Sequence, residues 1–126
     1  MIREEKKTLT TQEIADRFHE LAQQEKWFEI QDEFFAANVR SVEPEHSRYL
    51  GYAEGKVPVY NKGMEFVKRI QGVHEMYTSA PIVSGNHFVV GRTMDITVQP
   101  HGRIRIEELM VYEVKDGQIV LEQFFY

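Results

Sequence analysis

Glu43 is the last residue of a half-apolar stretch, "NVRSVE", and stands directly before Pro44 and a long loop. Two readings are open for it: a carboxylate solvated at a strand end, or a base held at the mouth of a pocket. A second carboxylate, Glu108, lies two residues before Met110 and four before Tyr112. Alternation along a strand puts these three on one face. If that face lines a cavity, Glu108 and Tyr112 are the polar groups of an otherwise apolar wall. Burial would then raise the Glu108 pKa and hold its carboxyl neutral near pH 7. Two carboxyls whose environments push their pKa values apart form a general acid and base pair. The opposite reading puts Glu108 on the outer face and turns Glu107 inward, because a one-residue slip exchanges the two.

Little else in the chain offers chemistry. It has no cysteine, so no disulfide, thiolate metal site or thiol nucleophile. His19, His46, His74, His87 and His101 lack metal-ligand spacing, and no metal site is expected. His46, three residues after Glu43, is a candidate proton shuttle. His74 opens a strand. Asp95, which interrupts "RTMDITV", reads as half of a cross-strand pair with Arg105. No glycine-rich phosphate loop, nucleophile elbow or dinucleotide fingerprint is present, which leaves cofactor-free chemistry.

The elements that must position these groups are legible in outline. The 126 residues suit one domain, and 42% hydrophobic residues can fill one core. A net charge of −5 argues against nucleic acid. No signal core or membrane span is evident, so a soluble, cytoplasmic protein is expected. Residues 1–8 are charged and expected to fray. "LTTQEI" starts a helix, with Thr10 and Glu13 spaced as a capping box and Leu9 and Ile14 as a hydrophobic staple. That helix runs to about Gln24. A second, short one carries Trp27, Ile30 and Phe34, extended by Phe28 and Phe35. A strand over 38–43 follows, then an irregular segment over 44–60 in which Tyr49, Tyr52 and Tyr60 either cap a pocket or pack the loop down. Helix three is expected over 62–71, stopped by Gly72. Strands near 74–84, 87–99, 103–115 and 118–126 are separated by "SGN", "PHG" and "DG", which makes them an antiparallel meander. Leu109–Met110–Val111–Tyr112 and Phe124–Phe125–Tyr126 are apolar on both faces, so the outer face of the sheet is expected to be covered in a homodimer.

This order of elements resembles the nuclear transport factor 2-like superfamily, on "ADRFHEL", "SVEP", "NKGMEFVKRI" and above all "VYEVKDGQIVLEQFFY". Within it the chain resembles SnoaL-like proteins, related to polyketide cyclases and ketosteroid isomerases. The resemblance covers Thr10 to Tyr126 and implies a cone-shaped α+β (cystatin-like) fold, three N-terminal helices on a strongly curved antiparallel sheet, with 9–126 as a single SnoaL-like domain. It also implies a role for Glu43, because in ketosteroid isomerases an acid before a proline after helix two is the general base. The isomerase oxyanion positions fall on Phe18 and near Met110, neither of which can donate a hydrogen bond. That activity is therefore not expected, and Glu108, with Tyr112 as a further donor, is the candidate replacement. Phe18, Trp27, Phe34, His46, Tyr60, Met94, Met110 and Glu122 are the expected pocket lining. Glu122 and Gln123 straddle the two faces of the last strand. The ligand implied is small, mostly apolar, and bears a carbonyl or hydroxyl. The fold hosts many activities, so a non-catalytic carrier or sensor, and a dimeric protein-interaction module, stand as alternatives.

Overall fold

The computed structural model describes residues 8–126. The expectation for residues 1–8 therefore lies, Thr8 apart, outside the described residues. Helix α1 spans Thr11–Gln23, α2 Trp27–Phe34 and α3 Lys56–Arg69. The strands are β1 Phe35–Val42, β2 Ala53–Glu54, β3 Ile70–Thr78, β4 Ile82–Ser84, β5 His87–Val98, β6 Gly102–Lys115 and β7 Gln118–Phe125. The α1 start follows the sequence: the Thr10 hydroxyl accepts from the Glu13 amide, and the Glu13 carboxylate accepts from the Thr10 amide. Both are donors that a helix start leaves unmet.

The strands form one curved, unclosed sheet in the order β2-β1-β7-β6-β5-β3, with β4 paired to β5. The meander from β5 to β7 is antiparallel as expected, and the β6–β7 turn has both Asp116 (φ 52) and Gly117 (φ 74) in the left-handed region. Two consecutive positive φ angles give a hairpin turn whose twist matches its strands. The sheet is mixed rather than wholly antiparallel, because β1 runs parallel to β7. These two strands are far apart in sequence, so no tight turn dictates their relative direction.

Several boundaries differ from the sequence reading, and the strand expected near 74–84 is two strands, β3 and β4, interrupted at 79–81. β1 begins at Phe35, immediately after α2, and ends at Val42, so Glu43 stands just beyond it. Helix α3 begins at Lys56 rather than Lys62. Pro58 reads as punctuation but occupies the first turn, where a missing N–H costs nothing. The irregular segment thereby shrinks to 43–55 and contains the two-residue β2. Gly72 does not stop α3; it lies in β3, beside a register shift between Ile70 and Gly72.

The core has two parts. Ile14, Phe18, Leu21 and Ala22 of α1 pack with Ile30 and Phe34 of α2 against Phe88, Val90, Tyr112 and Ile119 of the sheet. Phe88 and Tyr112 stack there at 5.1 Å, with the Phe18 ring against both. Farther along the sheet, Phe66 of α3 packs on Ile96, Val98 and Ile106. A cavity separates the two clusters and draws wall residues from each. On the opposite face of the sheet, Asp95 accepts two 3.0 Å hydrogen bonds from Arg103, while its ladder partner Arg105 lies 3.9 Å away. Tyr77, Leu109 and Phe125 stand half-exposed on that side.

Candidate functional site

The cavity has a volume of about 590 Å³, within the range of small-molecule sites. Its floor is the inner face of β5, β6 and β7. Alternation along β6 buries Met110 and Tyr112, turns Glu108 to the cavity, and sends Glu107 to solvent with 70% of its side chain exposed. The same parity brings Arg92 and Met94 of β5, and Glu122 and Phe124 of β7, to the interior wall. Helices α2 and α3 form the roof with Trp27, Phe28, Ile30, Gln31, Val59 and Lys62.

Glu43 is buried, with 4% of its side chain exposed. It accepts hydrogen bonds from the Lys62 ammonium at 2.9 Å and the Tyr126 hydroxyl at 2.8 Å. The reading of Glu43 as a solvated strand end is thus set aside. Lys62 also donates to the Ser41 hydroxyl at 2.7 Å and the Gly51 carbonyl at 3.1 Å, which uses all three of its N–H bonds. Ser41 in turn donates to Glu122 at 2.8 Å, and the Tyr112 hydroxyl donates to the other Glu122 oxygen at 3.1 Å. A continuous polar chain therefore runs Tyr126–Glu43–Lys62–Ser41–Glu122–Tyr112. Burial pushes the Glu122 pKa up, against the pull of Ser41, the Lys62 charge and Tyr112. Burial, then the nearby Glu122 charge, hold Tyr112 well above the ordinary phenol range, so it remains a donor. Burial likewise raises Tyr126.

Glu108 is different. Among the described residues it has no hydrogen-bond partner, although it lines the same cavity. Loss of hydration raises its pKa to about 8; Arg92 opposes this, and the charges of Glu43 and Glu122 reinforce it. Near pH 7 its carboxyl is mostly protonated and can donate. Arg92 itself is buried under Trp27, its guanidinium carbon 4.4 Å from the indole ring centre. It is engaged by both Glu25 oxygens at 3.1–3.2 Å and by Thr78 at 2.8 Å. The Trp27 indole N–H also donates to Glu25, at 2.6 Å.

Of the residues singled out from the sequence, Glu43, Glu108, Tyr112, Trp27, Met94, Met110 and Glu122 line this one cavity. Tyr112, expected to face a ligand as a donor, gives its hydrogen to Glu122 instead. Four others are not in the wall. Phe18 is wholly buried behind it, against Trp27 and Tyr112. Phe34 is core. His46 turns away, its Nε2 2.7 Å from the Tyr126 carbonyl oxygen. Tyr60 is exposed on the far side of α3, edge-on to Phe28. Of the loop tyrosines, Tyr49 alone is in the wall; Tyr52 is exposed beside Glu54. Among the described residues no cluster of three histidine, aspartate or glutamate side chains could hold a metal ion, and no helix is long and apolar enough to cross a membrane.

Comparison with known proteins bears on this geometry. The family model described as SnoaL-like domain matches residues 9–126. The chain belongs to the SnoaL-like domain family. A search of curated proteins found no match. Among solved structures, a candidate SnoaL-like polyketide cyclase from Mesorhizobium loti is 28% identical, with a TM-score of 0.87 over 94% of this chain and 100% of the other. TerC, crystallised with polyporic acid, is 16% identical with a TM-score of 0.69, covering 92% and 90%. A Catenulispora acidiphila protein of ketosteroid isomerase-like fold, in complex with trimethylamine, is 14% identical with a TM-score of 0.61, covering 77% and 72%. The last two likenesses bear on fold alone.

The polar residues of this SnoaL-like domain that sequence reasoning missed carried a signal. Lys62 is three residues after Val59 and four before Phe66, so it sits on the buried stripe of α3. Arg92 alternates with Val90 and Met94, and Ser41 with Val39, at inward parity. A charged or hydroxyl side chain at a core position marks a polar network or a site.

Proposed function

We propose that this SnoaL-like protein binds a small, mostly apolar carbonyl compound and moves a proton on it without a cofactor, as in isomerase, cyclase or dehydratase chemistry. The observation that carries the reading is the contrast within one apolar cavity between Glu43, held by Lys62 and Tyr126, and Glu108, which lacks any partner and is pushed up to about 8. Glu108 donates a hydrogen bond to the carbonyl oxygen as negative charge builds there, and holds its proton again when the carbonyl is restored. Glu43, which keeps lone pairs beyond the two it has committed, takes the proton from the adjacent carbon and returns it to another. Tyr112 and Ser41 position Glu122, which adds negative charge to the wall and helps keep Glu108 protonated. General acid–base contributions of this kind are worth about 10²–10⁴ in rate. The small molecules held by TerC and by the Catenulispora protein support the fold as a ligand container.

Deuterium exchange at the carbon beside the carbonyl of 2-tetralone, followed by NMR, tests this directly. The protein should accelerate exchange over buffer, and Glu43→Gln should remove at least about 100-fold of that acceleration while leaving binding in place. Binding without exchange in the unaltered protein would sink the catalytic reading.

The second reading is a non-catalytic carrier or sensor. It is favoured by the engagement of Glu43, each of whose oxygens already accepts one hydrogen bond, from Lys62 or Tyr126. An interaction module fits less well, because such a module has no need of an open cavity. We also place the protein in the cytoplasm as a homodimer, with the half-exposed Tyr77, Leu109 and Phe125 at the centre of the shared sheet face.

A further inference from the structure

One polar group in the wall takes no part in the network. Gln31 lines the cavity from α2, and its Oε1 is buried with no partner. Its Nε2 makes no hydrogen bond with the described residues either. The other residues that α2 and α3 give to the wall are mostly apolar, among them Phe28, Ile30, Val59 and Val67, with Lys62 committed to Glu43, Ser41 and Gly51. Gly63 faces Gln31 from α3. A Cβ built there would stand 3.1 Å from the Phe28 ring and 3.8 Å from Gln31 Nε2, so the glycine keeps the two helices close and the amide uncrowded.

A buried amide oxygen without a partner is costly, and proteins rarely keep one without use. Among the described residues, the other polar side chains of the wall, Glu108 and the Tyr49 hydroxyl apart, are met from within the protein. We propose that Gln31 is a specificity-determining residue: a second polar subsite, apart from the carboxylates, that takes a neutral hydroxyl of the ligand. A hydroxyl both donates and accepts, so it satisfies whichever end of the amide faces it. A carboxylate has no hydrogen to give to Oε1, and an ammonium has no lone pair to take one from Nε2. The inference rests on the reading that the cavity binds a carbonyl compound, and narrows that compound to one with a hydroxyl placed to reach α2 while its carbonyl meets Glu108.

Calorimetry with 1-tetralone and its 5-, 6- and 7-hydroxy isomers separates the two ideas. In the unaltered protein at least one hydroxylated isomer should bind about tenfold tighter than the parent ketone. Gln31→Met, close in volume, should erase that increment and leave the parent ketone bound as tightly or more so. Removing an unmet buried amide should also raise the Tm of the unliganded protein, whereas loss of a merely structural glutamine would lower it. An increment under twofold for every isomer, or one that survives in Gln31→Met, overturns the inference and leaves ketone binding standing. Failure of all four compounds to bind overturns both.

Discussion

Arg92 and Glu108 are directly opposed on β5 and β6, yet they do not form an ion pair. The guanidinium turns to Glu25, which the α1–α2 turn presents with a left-handed backbone (φ 57). Glu25 thus takes the cation that would otherwise hold the Glu108 proton off. Loss of hydration chiefly sets the acidity of Glu108, and the turn bears on it through Arg92. Glu25→Gln should release Arg92 toward Glu108, and the Glu108 titration, followed by carboxyl NMR, should fall below about 8. An unchanged titration would show that Glu25 does not govern it.

Glu108 also sets a pH dependence of stability. Its folded pKa is above the unfolded value, so its burial is uncosted while it is protonated in both states and becomes a penalty as pH rises from the ordinary glutamate value of 4.5 through about 8. Glu108→Gln should match the unaltered protein in urea melts at pH 4 and exceed it by about 2–4 kcal/mol at pH 9. Equal stabilities at both pH values would mean that the carboxyl is hydrated.

Among the described residues Lys62 is the single cation joining Glu43 and, through Ser41, Glu122. Its replacement leaves buried negative charge without compensation. Lys62→Met should cost about 3–5 kcal/mol at pH 7, and the loss should shrink as acid protonates the carboxylates. The double variant Lys62→Met with Glu43→Gln should recover part of it. No recovery would place the lysine's contribution in packing over the Phe124 ring instead.

The outer face offers a test of assembly. Leu109 and Phe125 are register partners and both half-exposed, with the ion-paired Asp95, Arg103 and Arg105 farther along the same face. An apolar patch of this kind is disfavoured in water. Sedimentation at micromolar concentration should return twice the chain mass, and Leu109→Lys with Phe125→Lys should return the chain mass with the fold intact. A monomer before substitution would end the dimer proposal.

The sequence carried the fold well where one period dominates. The helix cap at Thr10, the meander turns and the inward face of β6 follow from spacing that a single residue's slip would wreck. It carried the wall less well. Phe18, Phe34 and Tyr60 read as lining because aromatic side chains on a helix do not announce whether a cavity or a core lies beneath them. Lys62 was hidden by Pro58: moving the helix start to residue 62 cut the stripe Val59–Lys62–Phe66 in half. Arg92 drew no notice because its partner Glu25 is 67 residues away in a turn with no period of its own. Which face a strand shows can be read locally; which pairs close across the fold cannot.

Helix α2 passes into β1 between Phe34 and Phe35, and α3 into β3 between Arg69 and Ile70, with no residue between. A joint without slack cannot swing. Both helical shoulders are therefore stiff, which leaves the segment between β1 and α3, whose Tyr49 and Leu50 line the cavity, as a part of the wall with slack. That segment is latched by Ser47 and His46 to Tyr126 and by Arg69 to the Tyr49 carbonyl. If the proposed ligand passes there, its residence time follows the lifetime of that latch.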